Sequence, residues 1–332
     1  MLAYELLQAQ EEGRARRRDE LERVLGSTMT EALARADVVE VMVNEDGRVW
    51  TDSLVDGMTD TGERLRPHEA EDLVVTIASE LGRTIDAAHP SLIGELPIDG
   101  SRVQAFFPPV VAMPALVLRK KASRVIPLEE YVRLGILAAN HYELLRGSVA
   151  ARETVVFAGG TGSGKTTLGN AYLGAIAELT PDDRLVILED TRELACSSPN
   201  KLFLRKSSDR SMMELLQDAL RTRPDRIIFG ECRDASAFDL IMALNTGHRG
   251  SFTTVHANSA RDALSRLENL IRLAEKPVIP QMLVDAITWI AFIHRNRGVF
   301  RVTELVRLVG VSPSGAYAFE PIDPHWQERS LS

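Results

Sequence analysis

Short alternating runs of apolar and polar residues predict a small α+β domain over residues 37–122. The run VVEVMVNEDGRVWTD predicts a hairpin with Gly47 in its turn, because glycine readily takes the positive φ that a tight turn requires. A helix is predicted after Pro67, where apolar residues recur at helical spacing: Leu73, Val74, Ile77 and Leu81. The runs LIGELPI, SRVQAFF and ALVLRKK predict three further strands.

The first 36 residues have a different pattern, with many charges and the segment EEGRARRRDELER. This mixed charge predicts a helix, which we interpret as a solvated or partner-facing arm rather than a core element. The segment lacks the apolar centre and small-residue cleavage site of a secretory signal.

From residue 123 to residue 332 the pattern predicts a linker helix and a second domain. Pro127 opens the helix LEEYVRLGILAANHYELL, and short β-branched runs then alternate with helical stretches, as in a parallel sheet with crossover helices. Ser211 and Glu214 form a capping box ahead of a helix that begins at Met212. The predicted strands are TVVFAG, RLVILED, RIIFGE and SFTTVHA, and the runs WIAFIHR, VFRVTELVRLV and AYAFEPI predict antiparallel hairpins appended to them.

Composition narrows the classes of protein that fit this pattern. The 332 residues favour two domains, and 45% hydrophobic with 26% charged residues is typical of globular proteins. The net charge of −8 disfavours a protein that coats duplex DNA through its overall field. Only two cysteines are present and no apolar run approaches the roughly 20 residues of a membrane span. We therefore expect a cytoplasmic protein, with peripheral attachment to a membrane complex left open.

The strongest chemical signal is a phosphate-binding loop between a predicted strand and a predicted helix. Its glycines would turn successive N–H groups into one concavity, at the positive end of the helix dipole. Lys165 would reach the β and γ phosphates of ATP, and Thr166 would place its hydroxyl on Mg²⁺. An ordinary glycine-rich turn is the alternative. The residues that match the motif are Gly159, Gly160, Thr161, Gly162, Ser163, Gly164, Lys165 and Thr166.

Hydrolysis also requires a carboxylate that readies water for attack, and two predicted strand ends provide candidates. Glu231 follows the strand RIIFG at the edge where ligands of open α/β sheets bind, so we expect it to be the catalytic base. Glu189 ends the strand RLVILE and is the candidate for the Mg²⁺ shell, through water. The alternatives are a solvated acid at position 231 and surface pairing of Glu189 and its acidic neighbours with Arg184 and Arg192.

Two histidines flank the strand SFTTV, at positions 248 and 256. Isolated histidines are often structural, and Cys196, Cys232 and these histidines lack the paired spacing of a zinc site. His256 lies at the predicted carboxyl end of a buried strand, where an imidazole could sense γ-phosphate or bridge two subunits.

Taken together, these segments resemble the secretion ATPase superfamily that powers type II and type IV secretion and pilus machines. The motifs that carry the resemblance are GGTGSGKTT, which extends the phosphate loop to Thr167, LEDTREL, RTRPDRIIFGECRD and TGHRGSFTTVHANSA, in family order. Within the superfamily the chain looks most like the TrbB group of conjugal transfer ATPases. It lacks the four-cysteine zinc insertion of type II secretion ATPases.

The resemblance implies a RecA-like P-loop NTPase domain with a mainly parallel sheet behind the small domain, and a homohexameric ring that binds ATP and Mg²⁺ between the two domains. It implies that Arg102 and Arg119 of the first domain reach the γ-phosphate, where surface solvation is the alternative. It also implies partners among the components of a type IV secretion or conjugation channel, at the cytoplasmic face of the inner membrane.

Three other functions remain open at this point. A pilus assembly or retraction ATPase is the nearest alternative, and sequence features separate it poorly from a conjugation ATPase. A RecA-like helicase or translocase is disfavoured by the acidic net charge and by the lack of a basic and aromatic stripe, so we expect no direct nucleic-acid binding. The third is a nucleotide switch, a regulatory binding module that binds the nucleotide but does not hydrolyse it.

Overall fold

The computed structural model describes residues 19–35, 37–53, 56–96, 99–120, 125–207, 209–296 and 298–322. The chain divides into two compact units, Met1–Ser123 and Arg124–Ser332. Within the described ranges, the helices are too short or too polar to cross a lipid bilayer.

The first unit is one antiparallel six-stranded sheet covered by helices. Its strands lie in the order β3-β2-β1-β6-β5-β4, and each neighbouring pair is antiparallel. Apolar residues of α2 and of alternating strand positions form its core. The elements are α1 (19–34), β1 (Val38–Val43), β2 (Arg48–Ser53), β3 (Gly57–Arg64), α2 (Pro67–Glu80), β4 (Ser91–Glu95), β5 (Arg102–Phe106) and β6 (Ala115–Arg119).

Helix α1 differs from the expected solvated arm. Leu21, Leu25, Met29 and Ala32 lie along one side of the helix and are buried in the core of the first unit. Their spacing places them on one face, while the charged residues between them cover the opposite face. The prediction of a solvated arm is therefore wrong for the described part of the segment, and residues 1–18 lie outside the described ranges.

The second unit is an eight-stranded sheet between two helical layers. Its first elements are α3 (Leu128–Arg133), α4 (Ala139–Ala150), β7 (Val155–Gly159), α5 (Lys165–Leu179), β8 (Leu185–Glu189) and β9 (Lys201–Arg205). They are followed by α6 (Met212–Leu220), β10 (Arg226–Phe229), α7 (Ala237–Asn245), β11 (Phe252–His256), α8 (Ala260–Leu273) and α9 (Pro280–Ala286). The last three strands are β12 (Trp289–Asn296), β13 (Val299–Val311) and β14 (Tyr317–Pro321).

The strands of this sheet lie in the order β14-β13-β12-β7-β11-β10-β8-β9. The six strands from β12 to β9 are parallel, and β13 and β14 add to them as antiparallel strands. Alternating strand residues face two separate apolar cores, so both faces of the central strands are covered. The predicted α/β fold class, with a small α+β domain before a mainly parallel sheet, is confirmed.

Two local predictions in this unit have different outcomes. The capping box at α6 is confirmed, because the Ser211 side chain accepts from the backbone N–H of Glu214. The single helix predicted after Pro127 is wrong: α3 ends at Arg133 and α4 begins at Ala139. Gly135, with φ of 68°, takes a left-handed conformation that interrupts the helical path between them.

A buried arginine ties the amino-terminal edge of the second sheet together. Arg226 at the start of β10 is fully buried, and its guanidinium donates to Asp183 Oδ2 at 2.7 Å. It also donates to the carbonyl oxygens of Gly250 at 2.8 Å and Val149 at 2.9 Å. This single side chain thereby links β10 to α4, to the turn before β8 and to the turn before β11.

Candidate nucleotide-binding site

The phosphate loop connects the carboxyl end of β7 to the first turn of α5. Gly164 is the residue before the helix, with φ of 92°, and it provides no side-chain cap to the first N–H groups. The first four N–H groups of a helix have no intrahelical acceptor, and such groups are suited to binding an anion. Thr161 and Gly162 are exposed, and Gly162 has φ of 67°. The predicted loop is thus an open turn of backbone donors ahead of a helix.

The first glycine of the loop, Gly159, lies where there is no room for a side chain. A Cβ on Gly159 would collide with the carbonyl oxygen of Ile293 and with Ser163 Oγ. Ser163 Oγ is buried and has no hydrogen-bond partner within the described ranges. A buried hydroxyl without a partner is costly, and this one lies within the loop that the sequence predicts to bind phosphate.

Lys165 begins α5 and lies with its side chain along the loop. The side chain is buried, and its Nζ donates to the carbonyl oxygens of Gly159 at 3.1 Å and Gly160 at 2.7 Å. Nζ also lies 3.3 Å from Nδ1 of His256. The ammonium is thus held at the mouth of the loop, where the sequence predicts the phosphates.

His256 and Glu231 reach the same place from the neighbouring strands. His256 ends β11 and pairs in register with Gly159, while Glu231 follows β10, the next strand across the sheet. The two side chains meet, with His256 Nε2 3.0 Å from Glu231 Oε1. Strand order alone brings Lys165, His256 and Glu231 together, although they are separated by up to 91 positions in the chain.

The protonation of His256 follows from its surroundings. Burial lowers the pKa of the imidazole, and the charge of Lys165 lowers it further. A neutral ring that accepts from Lys165 at Nδ1 carries its proton on Nε2, which faces Glu231. His256 is therefore the connecting group between the lysine of the loop and the candidate base.

Glu231 is held mainly as the carboxylate. Burial by itself would raise its pKa, but the hydrogen bond and charge of Arg233, with the charges of His256 and Lys165, hold the pKa below its ordinary value. Arg233 donates to Glu231 Oε2 at 2.5 Å. Its other oxygen, Oε1, is buried and faces His256 Nε2 at 3.0 Å. The carboxylate is thus held between Arg233 and His256.

Arg233 is a member of the site that the sequence analysis missed. It lies two positions after Glu231, and its guanidinium also approaches Asp190 at 3.8 Å. The sequence GECRD already suggested this pair, because side chains two positions apart in a turn after a strand can come into contact. Which carboxylate an arginine meets depends on the neighbouring strand, however, and that is a property of the fold.

The two candidate metal residues belong to different elements, α5 after β7 and the end of β8, and β11 and β10 lie between these two strands in the sheet. Thr166 is in the first turn of α5. Glu189 ends β8, is 3% exposed, and its Oε1 accepts from the N–H groups of Glu193 at 2.7 Å and Leu194 at 2.6 Å. Burial raises the pKa of Glu189 in spite of these two donors. One carboxylate oxygen of Glu189 therefore fixes the loop that follows β8.

The remaining predicted residues lie elsewhere. Arg102 and Arg119 belong to the first unit, where they are directly opposite each other on β5 and β6. Arg119 approaches Glu40 at 3.6 Å. His248 precedes β11, at the other end of that strand from His256, and its carbonyl accepts from Ser251 Oγ. The two histidines therefore lie at opposite ends of β11, and only His256 lies at the phosphate loop.

Comparison with known proteins identifies the family of the chain. Residues 95–292 match the family described as Type II/IV secretion system protein. The conjugal transfer protein TrbB of Rhizobium radiobacter is 41% identical over 286 residues, covering 86% of this chain and 88% of that protein. The type IV secretion system protein VirB11 of Bartonella henselae is 30% identical over 316 residues, covering 81% and 88%.

Among solved structures, the DotB ATPase of Yersinia pseudotuberculosis shares the fold. Its TM-score is 0.60 at 20% sequence identity, with 92% of this chain and 80% of that chain covered. The family match spans the phosphate loop and the cluster of Lys165, Glu231 and His256. The chain therefore belongs to the Type II/IV secretion system protein family.

Proposed function

We propose that this chain is the Mg²⁺-dependent ATPase motor of a type IV secretion or conjugative transfer apparatus. The observation that carries the proposal is the contact of Lys165 with His256, and of His256 with Glu231, at the carboxyl edge of the parallel sheet. These groups supply the parts that phosphoryl transfer to water requires: a cation for the phosphates, a carboxylate for water, and a connecting imidazole.

In the proposed reaction, water attacks the γ-phosphate of ATP in line with the leaving oxygen. The Glu231 carboxylate orients that water and accepts its proton, because its lowered pKa keeps it ionised near neutral pH. Lys165 leaves the carbonyl oxygens of the loop and holds the charge that develops on the phosphates. His256 follows the position of Lys165 and so senses whether phosphate is present.

The residues present fit a magnesium ion better than a structural metal. The described residues contain no cluster of three or more histidine, cysteine, aspartate or glutamate side chains, and Mg²⁺ keeps several waters and takes few protein ligands. The Thr166 hydroxyl would bind the ion and Glu189 would act through water. When bound, Mg²⁺ neutralises the developing charge on the phosphate oxygens.

Arg102 and Arg119 complete the proposal as cations for the γ-phosphate. Arg102 begins β5 and Arg119 ends β6, so one end of this strand pair carries two guanidinium groups. Such groups can contribute several powers of ten to the rate of phosphoryl transfer. Their individual replacement by Gln should lower the rate of hydrolysis while ATP binding at Lys165 is retained.

The assembly and partners are also part of the proposal. We propose a homohexameric ring at the cytoplasmic face of the inner membrane, driving components of a type IV transfer channel. The supporting observation is that its relatives at 41% and 30% identity are named for conjugal transfer and type IV secretion. Particle mass with and without ATP and Mg²⁺ tests the ring, and a monomer under every condition would contradict it.

The central experiment compares Glu231→Gln with Lys165→Ala. Glu231→Gln should bind ATP as the parent does and hydrolyse it about 10²- to 10⁴-fold more slowly, the range typical of a lost general base. Lys165→Ala should lose ATP binding. Glu178→Gln, at an exposed carboxylate that pairs with Arg146, is the matched control and should leave both unchanged.

Three further results distinguish the proposal from its alternatives. Unchanged hydrolysis in Glu231→Gln would remove the assigned base, and stimulation by single-stranded DNA would favour a translocase. For the motor role, cells that lack the chain should regain plasmid transfer with the parent and not with Glu231→Gln. Restoration of pilus movement in place of transfer would favour the pilus alternative.

A further inference from the structure

The hairpin of β12 and β13 lies on the side of the phosphate loop away from Glu231. The order β12-β7-β11-β10 places the loop after β7 between β12 on one side and the ends of β11 and β10 on the other. On the proposed function, on which this inference rests, the γ-phosphate faces Glu231 and His256. The nucleoside of the same molecule must then lie on the β12 side of the loop.

This hairpin extends well past the loop. Phe292 is the last β12 residue paired with β7, opposite Ala158, and β7 itself ends one residue later. β12 continues to Asn296 and stays paired with β13 up to Val299. At about 3.3 Å per residue, the three residues after Ile293 carry it about 10 Å beyond the sheet edge. That length is comparable with a nucleoside.

One face of the hairpin lies against the loop. Ile293 and Arg295 share a face because they are two residues apart, and Phe300 shares it because it is directly opposite Arg295. A Cβ placed on Gly164 would lie 3.1 Å from Phe300 Cδ1 and 3.4 Å from Ile293 Cδ1. Phe300 therefore contacts the last glycine before the helix, and Arg295 lies beside it as its cross-strand partner, two residues beyond Ile293.

Arg295 and Phe300 form a partly exposed cation–π pair. The guanidinium carbon of Arg295 lies 5.1 Å from the centre of the Phe300 ring. Nucleic-acid bases stack on aromatic rings and on guanidinium planes, largely irrespective of base identity. We propose that the Arg295–Phe300 pair is the wall on which the purine base of the bound nucleotide stacks. The ligand it recognises is the base, whereas the loop recognises the phosphates.

The test compares ATP with inorganic tripolyphosphate, each titrated calorimetrically with Mg²⁺ into the full-length protein. Phe300→Leu keeps apolar bulk against Gly164 and removes the aromatic plane, and Arg295→Lys keeps the charge and removes the planar group. Each should weaken ATP binding about tenfold, from lost stacking, and leave tripolyphosphate binding unchanged. GTP should weaken as ATP does, because both purines present a flat face.

Two further variants complete the comparison. Phe300→Trp should bind ATP as the parent does, and its added indole emission should be quenched by ATP and not by tripolyphosphate. Phe319→Leu removes the ring beside Arg261, a second arginine–aromatic pair of the same unit with a separation of 4.6 Å, and should change neither affinity.

The outcomes separate this inference from the proposed function. Equal weakening of ATP and tripolyphosphate in Phe300→Leu would mean that the ring only supports the loop, which overturns the inference. ATP binding unchanged in both Phe300→Leu and Arg295→Lys would overturn it as well. Failure of the parent to bind either ATP or tripolyphosphate would instead refute the proposed function. Lys165→Ala is the control for the binding site: it should lose both ligands if both bind at the phosphate loop.

Discussion

Replacement of Arg226 by Met should strongly destabilise the larger unit. Arg226 is fully buried and has three oxygen acceptors, so its removal leaves two carbonyl groups and the 8% exposed Asp183 carboxylate without it. Loss of one partner of a buried ion pair costs about 3 to 5 kcal/mol. Arg152, about half exposed, still pairs with Asp183 and offsets part of this cost, so we expect about 3 kcal/mol.

Urea and thermal unfolding of the full chain measure this loss, followed by fluorescence in a background with Trp50→Phe and Trp326→Phe, so that Trp289 of the larger unit is the reporter. For a unit of this size, about 3 kcal/mol corresponds to a fall of about 6 to 12 °C in Tm. The double variant Arg226→Met with Asp183→Asn should be more stable than Arg226→Met alone, because it removes the uncompensated carboxylate. The control Arg221→Gln, at a largely exposed side chain, should leave Tm unchanged.

The ion pair of Asp183 with Arg226 should make the stability of the larger unit fall as the pH is lowered. Burial would raise the pKa of Asp183, but the hydrogen bond and charge of Arg226 hold it below the ordinary value. A carboxyl group with a depressed pKa contributes stability above its unfolded pKa and loses it as pH falls through the folded pKa. The parent should therefore lose stability in acid more steeply than Asp183→Asn. A loss below about 1 kcal/mol in Arg226→Met, or a double variant no more stable than the single one, would refute the reasoning.

Three other predictions concern the site and the first unit. Arg233→Gln should move the acid limb of the kcat–pH profile to higher pH, because Arg233 lowers the pKa of the Glu231 base; an unmoved limb would separate Arg233 from the base. Chelation of Mg²⁺ by EDTA should abolish hydrolysis in a release assay, and full activity in EDTA would exclude the metal. Met29→Ala should destabilise the first unit by about 2 to 4 kcal/mol in urea unfolding, since the side chain is 1% exposed, whereas a solvated arm would show no change.

The sequence predicts the centre of the second sheet well because its strands are short apolar runs with motifs at their ends. β7, β8, β10 and β11 are buried on both faces, so their hydrophobicity is visible without knowledge of the partners. The carboxyl ends of parallel strands meet at one edge, which is why the loop, Glu231 and His256 could be assigned to one place. The structure adds the distances between Lys165, His256 and Glu231, whereas their roles in hydrolysis remain predictions.

The elements that sequence reasoning missed lack such a signal. β3 has the polar sequence GMTDTGER and is largely exposed, so only its pairing with β2 reveals a strand. In α1 the apolar residues that are buried alternate with charged residues of the opposite face, so the apolar pattern is hard to recognise in the sequence. Arg233 and the Arg295–Phe300 pair could not be assigned to the site either, because their partners depend on strand order and on how far β12 extends beyond the sheet.

The contacts of Lys165 affect which ligands the loop can accept. All three donors of its ammonium group have acceptors in this structure: the carbonyl oxygens of Gly159 and Gly160 and the ring nitrogen of His256. An incoming molecule must displace these neutral acceptors, so its affinity is a difference between two sets of hydrogen bonds. Anionic oxygens make bonds roughly twice as strong as neutral ones and gain from the exchange, whereas a neutral ligand of the same shape gains nothing. The contacts of Lys165 therefore favour anionic ligands over neutral ones.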